Sequence, residues 1–227
     1  MEYPTANRFF GERVSRYFRA GRSEFLRDYM KHHSAPGQGL RVLDLGGRYD
    51  FWERLGLEFL RSIGAKITIL NLSPMEARYT DLHQDLFEYV VGDACNTGYE
   101  DDAFDLVVSN SVIEHLGTWD NMIAFSIEAA RVGRAYYCQT PNFWFPIDPH
   151  FYRMPFFHFL PRPTRAWLLQ RFPLATVGRI PGVVNSFRAV DSASLLTREQ
   201  MKALFPSASL RPERFLGVFV KSYVAVS

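Results

Sequence analysis

Between residues 41 and 139, short apolar runs alternate with helical patterns, and several runs stop at glycine or a small polar residue. Arg41-Val-Leu-Asp-Leu45 ends at Gly46-Gly47, Lys66-Ile-Thr-Ile-Leu70 at Asn71, and Phe104-Asp-Leu-Val-Val-Ser109 at Asn110. Weaker or shorter strands are expected over 87–91 and 135–139. The intervening spacing predicts one helix through Trp52, Leu55, Phe59 and Ile63 to near Gly64, a short helix over 75–83, and another over 121–131. Apolar runs this short are strands buried on both faces, which requires helices on either side of a parallel sheet. Right-handed crossovers then give a doubly wound α/β domain.

The flanks have a different character. Upstream, Phe10, Val14, Tyr17, Phe18, Phe25, Tyr29 and Met30 interleave with Arg13, Arg16, Arg19 and Arg27. This is an N-terminal helical extension over 1–39, of one or two amphipathic helices interrupted near Gly21. The alternation breaks at Pro141. Residues 141–188 hold eight prolines and eleven aromatics, too many aromatics for a flexible linker, so they are read as an ordered insertion or lid. Thr197 with Gln200 marks a helix start leading to Leu204. Two closing strands, 210–215 and 218–226, form an antiparallel hairpin turning at Gly217. The whole of 1–227 reads as one domain with seven strands.

The net charge of +2 argues against a general nucleic-acid binder, but it conceals segregation. Residues 42–140 carry 7 basic and 16 acidic side chains, whereas 141–188 carry 6 and 1. Two cysteines, Cys95 and Cys138, are too few for a disulfide scaffold or a cysteine-rich metal site and are expected to be reduced thiols. No secretory signal and no membrane-spanning run is apparent, so a soluble, cytoplasmic protein is expected.

In an open α/β sheet, ligands bind beyond the carboxyl ends of the strands. Four such ends are notable: Asp44-Leu-Gly-Gly47, Asn71-Leu-Ser-Pro74, Gly92-Asp-Ala-Cys95 and Ser109-Asn-Ser-Val-Ile-Glu-His115. Each alone is a weak signal; their order along one alternating domain is the stronger one. A nicotinamide enzyme is disfavoured, because the first loop lacks G-x-G-x-x-G.

Taken together, these residues resemble the class I S-adenosylmethionine-dependent methyltransferases, in their small-molecule branch. The resemblance covers about 40–140, and the terminal hairpin agrees with that family's Rossmann-like, mostly parallel seven-stranded sheet with a reversed last strand. The resemblance implies S-adenosyl-L-methionine as cofactor. It implies that Gly46 and Gly47 expose backbone to the methionine moiety, with Asp44 orienting the loop or the amino group. Asn71 and Leu72 fall at the ribose, Asp93 and Ala94 beside adenine, and Asn110 and Ser111 near the transferring methyl. Two departures stand out: Arg48 and Asp50 replace later glycines of the first loop, and Asn71 replaces the usual ribose-binding acid. An amide gives up the charge-assisted strength of a carboxylate.

The sulfonium supplies an activated methyl, so the protein's part is alignment and exclusion of water. For a hydroxyl acceptor a base helps, and His115 and His150 are the candidates. Shaping of the loop by His115 and lid packing by His150 are the structural alternatives. Glu114, His115 and His150 make an incomplete ligand set, so no metal is expected.

The insertion 141–188 is expected to cover the acceptor site. Its arginines and aromatics fit a packed lid with solvated arginines, a peripheral membrane contact, or recognition of an anionic acceptor. Base stacking on single-stranded RNA ranks below these. The expected function is methyl transfer to a small or lipid- or glycan-linked acceptor, with oxygen as the favoured acceptor atom. A non-catalytic binding or regulatory protein of the same fold is the alternative.

Overall fold

The computed structural model describes residues 8–34, 37–74, 82–151, 154–175 and 178–227, with side chains from residue 21 onward. The helix expected over 75–83 falls almost wholly outside these residues, as do Tyr152 and Arg153 of the insertion.

The core is a seven-stranded sheet of β1 (Leu40–Leu45), β2 (Ala65–Asn71), β3 (Phe87–Val91), β4 (Leu106–Asn110), β5 (Tyr136–Pro141), β6 (Ser209–Phe215) and β7 (Phe219–Val226). Its order is β3-β2-β1-β4-β5-β7-β6. All neighbouring pairs from β3 to β5 are parallel, and β7 runs antiparallel to both β5 and β6. The order reverses between β1 and β4, which is where a doubly wound sheet opens a crevice. Val42, Leu43, Leu106, Val107 and Val108 are buried because both faces of the sheet are covered.

One face is covered by α1 (Arg8–His33), α2 (Tyr49–Leu55) and α3 (Leu57–Ser62), whose Leu26, Met30, Trp52, Leu55 and Leu60 share a cluster with Val42, Ile67 and Tyr137. The other face is covered by α4 (Trp119–Val132) and α7 (Arg198–Leu204), through Phe125, Ala129, Met201 and Leu204. Thr118 caps α4, and Thr197 with Gln200 forms a full capping box at α7, as its sequence spacing predicts.

Three expectations change. The first helix is continuous through Gly21, because one buried face from Leu26 to Met30 fixes its docked half. The helix expected from Trp52 to Gly64 breaks into α2 and α3 at Gly56, at φ 113°. Arg27 from α1 donates to the Leu55 carbonyl there (Nε–O 2.8 Å), satisfying an end of α2 that a continuing helix would have closed itself. A Cβ on Gly56 would lie 2.8 Å from the Arg27 guanidinium, so the break needs glycine.

Third, the insertion has helices despite its weak periodicity. α5 (Arg162–Arg171) follows Pro161, and α6 (Val183–Asp191) follows Gly182. They enclose a small core of Phe151, Phe157, Ala166, Leu169, Ala175 and Val190. The insertion also extends beyond residue 188. Its neck closes where Asn142 pairs with Leu196 and the Phe143 amide donates to the Leu196 carbonyl (2.9 Å).

The loop after β3 is tied to α4 by Glu128. Its carboxylate accepts from the Thr97 amide (2.8 Å) and hydroxyl (2.5 Å) and from Arg131 (2.9 and 2.8 Å). Burial opposes its charge, but these donors outweigh burial and hold its pKa at about 2. A depressed carboxylate stabilises above its unfolded pKa and loses that contribution as pH falls toward its folded one. Between pH 6 and 2.5, wild type should therefore lose on the order of 2 kcal/mol more stability than Glu128→Gln, measured by urea unfolding.

Candidate functional site

The carboxyl ends of β1, β2 and β4 meet at one loop. Gly46 is left-handed (φ 71°), and a Cβ there would lie 2.6 Å from Val112 beyond β4. A Cβ on Gly47 would fall 1.5 Å from the Asp44 carboxylate. Glycine is required at both places by close packing within the protein. Asp44 is 1% exposed and accepts from Trp52 Nε1 at 2.5 Å, so its side chain is folded beneath the loop it supports. Asn71 Nδ2 donates to the Gly47 carbonyl (2.7 Å), which engages the donor end of the amide in the first loop. Arg48 and Asp50, the departures in this loop, form an ion pair at 3.3 Å at the start of α2.

Leu72, just beyond β2, is 75% exposed, and Asp93 beyond β3 is exposed beside buried Ala94. Asp93 Oδ1 accepts from the Cys95 amide (2.8 Å), which fixes the turn while leaving the second oxygen toward solvent. An exposed apolar side chain beside an exposed carboxylate suits a flat, hydrogen-bonding base. These residues fit the adenosine half of the cofactor.

At the end of β4 the structure adds residues that the sequence did not single out. Arg22 of α1 donates to both Glu213 oxygens (2.7 and 2.6 Å) from β6, to Asn110 Oδ1 (2.9 Å) and to Gln139 Oε1 (3.2 Å). Ser111 Oγ also donates to Gln139 Oε1 (2.9 Å), and Ser222 donates to Glu213. Ser111 itself is left-handed at φ 58°. Because arginine only donates, Asn110 presents Oδ1 to Arg22 and turns Nδ2 the other way. Burial raises the Glu213 carboxyl, but Arg22 outweighs it and holds the pKa below the usual range. Nothing in an arginine-rich amphipathic helix distinguishes Arg22 from its neighbours; only the fold brings residue 213 to it.

A second group lies where the insertion meets the 3₁₀ turn Ile113–His115. His115 Nδ1 is 2.6 Å from the Ser192 carbonyl, and His150 Nδ1 is 2.8 Å from Asp148 Oδ1. The two Nε2 atoms face each other at 3.2 Å. Glu114 is buried and accepts from Thr140 Oγ1 (2.9 Å). Burial holds the Glu114 carboxyl above its ordinary range against the opposing pull of the histidines. Burial disfavours charge on His150, but the hydrogen bond and charge of Asp148, with Glu114 beyond, outweigh it and raise its pKa. The structure brings the two candidate bases, His115 and His150, together, and both ring nitrogens of each face a partner.

Residues 54–135 match a family model described as a methyltransferase domain. The carboxyl-end site and the 3-2-1-4-5-7-6 strand order agree with that match. Over that stretch the chain is similar to methyltransferase domains, and its fold is theirs. The methyltransferase fold recurs in a protein from Pyrococcus horikoshii OT3, 18% identical with a TM-score of 0.53, over 89% of this chain and 85% of that one. A SAM-dependent methyltransferase from Methanosarcina mazei is 17% identical with a TM-score of 0.52, over 86% and 94%. A Haemonchus contortus phosphoethanolamine N-methyltransferase, solved with phosphomonomethylethanolamine and S-adenosylhomocysteine, is 15% identical with a TM-score of 0.51. The likeness to the Haemonchus enzyme covers 82% of this chain but 38% of that one. Against some methyltransferases the chain thus spans about half their length or less. No curated protein matches the sequence. Among the described residues, no helix is long and apolar enough to cross a membrane.

Replacing Arg22 with methionine leaves Glu213 buried and uncompensated, which should destabilise the protein by about 3 kcal/mol. The double replacement Arg22→Met with Glu213→Leu should recover most of that loss in urea unfolding, because it removes both charges together.

Proposed function

We propose that this protein transfers a methyl group from S-adenosylmethionine to an oxygen of a small acceptor, or of one carried on a lipid or glycan. The observation that carries this reading is the convergence, beyond β4 and β5, of Asn110 and Ser111 with Glu114, His115 and His150 beneath the neck of the insertion. Asp93, Leu72 and Asn71 Oδ1 would hold the adenosine, and the backbone at Gly46 and Gly47 would meet the methionine end. Asp44 acts through the loop it supports. Bound S-adenosylmethionine supplies the activated methyl. The chain's own contribution is to align the acceptor against the wall formed by Asn110 and Ser111, which Arg22 holds in place, and to exclude water.

The insertion selects the acceptor. Its exposed Trp144, Phe156, Phe159, Trp167 and Phe172 offer apolar surface, and Arg171 lies over the Trp167 ring at 6.0 Å. This combination supports an amphiphilic acceptor or one presented at a lipid surface. The arginines are not all available to an anion: Arg162 pairs with Asp191 and stacks on Phe187 at 4.5 Å.

Calorimetry with S-adenosylhomocysteine tests the cofactor half of this reading. Asp93→Asn keeps the acceptor for the Cys95 amide while removing charge, so affinity should fall about tenfold with the unfolding midpoint unchanged. Absence of binding at millimolar ligand would overturn the enzyme reading in favour of a non-catalytic binding protein. Transfer of a carbon-13-labelled methyl to a panel of alcohols, phenols and amines, read by NMR, tests the acceptor atom. Products methylated at nitrogen alone would refute the oxygen assignment.

A further inference from the structure

The hydrogen bonds around His115 and His150 determine their tautomers. A carbonyl oxygen cannot donate, so His115 Nδ1 must carry the proton it shares with Ser192. The Asp148 carboxylate accepts from the His150 amide (2.8 Å) and likewise calls for a proton on His150 Nδ1. With both Nδ1 atoms protonated, two neutral rings turn two lone pairs toward each other across 3.2 Å. A proton on one of the two nitrogens, or a metal ion bound by both, makes that contact favourable. Beside it is Glu114, 1% exposed, whose Oε1 has no hydrogen-bond partner among the described residues. One ring nitrogen of each histidine and a Glu114 carboxylate oxygen lie within 4.8 Å of one another.

We propose that Glu114, His115 and His150 bind a divalent transition-metal ion of the zinc, cobalt or manganese class. Two metal–nitrogen bonds of about 2.1 Å spanning this gap would subtend about 100°, between the tetrahedral and octahedral angles. Bringing the Glu114 oxygen onto the same ion asks for a shift of about 1 Å. The outer groups are those that metal-bound histidines use: each Nδ1–H is held by a carbonyl or a carboxylate, which orients the ring and raises its basicity. Two nitrogens and one carboxylate favour a borderline metal over magnesium or calcium, which take oxygen donors. Three protein ligands leave positions open for water or an acceptor oxygen.

This ion goes beyond the methyl-transfer reading and does not depend on it, since its binding requires no cofactor. It replaces the sequence-based expectation of no metal. The clustering of the three ligand atoms and the buried Glu114 oxygen supply what an incomplete ligand list lacked.

The test is a titration of chelator-treated full-length protein with Co2+ at pH 7.5, followed by visible absorption, with Zn2+ as competitor. One equivalent of Co2+ should bind and be displaced by Zn2+. His115→Ala and His150→Ala should each abolish it, and Asp148→Asn should weaken it by about tenfold or more. Circular dichroism of the metal-free variants checks that they fold. Should a histidine variant misfold, the Asp148→Asn affinity and the wild-type stoichiometry carry the decision. Less than one-tenth of an equivalent on folded wild type would overturn the proposal. So would a full equivalent retained by either folded histidine variant, or cobalt–thiolate bands that disappear in Cys95→Ser.

Discussion

One guanidinium ties together the carboxyl ends of β4 and β5, the first helix and the terminal hairpin. Arg22 reaches from the first helix across the ends of β4 and β5 to Glu213 on β6, and all its nitrogens have partners. Its side chain and that of Glu213 are only 15% and 17% exposed. A pair so enclosed adds little net stability over an apolar pair, because each ion gives up its hydration. Its value is directional. An amide side chain can be turned either way, and a donor-only partner settles which end of Asn110 points to Arg22 and which points away. Without α1 docked through Leu26 and Met30, the arginine could not be presented at that point.

The carboxyl edge of the sheet combines two kinds of constraint. At β1 the backbone is shaped from below, by a buried Asp44 that occupies the space a Gly47 side chain would need. At β4 the side chains are oriented from above, by α1 and the hairpin. The insertion then approaches from the side. Its neck is fixed at Leu196, and the Ser194 amide donates to the Glu114 carbonyl at 2.7 Å. The same segment supplies the Ser192 carbonyl that orients His115. The orientation of His115 and the packing of the insertion are therefore set by the same few hydrogen bonds.

Much of the sheet was legible because burial on both faces writes itself into local sequence as apolar runs ended by glycine or amides. The capping box at Thr197 and the turn at Gly217 are equally local. The break at Gly56 was not legible, because it depends on Arg27, twenty-eight positions away, taking over a carbonyl that helical periodicity assigns to the helix itself. α5 and α6 were obscured because many of their apolar residues face outward, Trp167, Val183 and Val184 among them, which blurs the helical period. In the site, the strand-end residues could be placed from motif order. Arg22, Gln139 and Glu213 could not, since their roles exist only after β7 has been laid between β5 and β6.

The position of β7 bears on how the chain comes together during synthesis. β5 is made some eighty residues before the strand that covers its edge, and the whole insertion intervenes. The insertion encloses its own apolar core, so it can condense while that edge is still bare. The exposed rim of β5 is then a place for strands of other molecules to add, until the hairpin arrives and occupies it. Closing order, and not only final packing, thus favours a hairpin with a short turn at Leu216 and Gly217, whose two strands form together and dock as one piece.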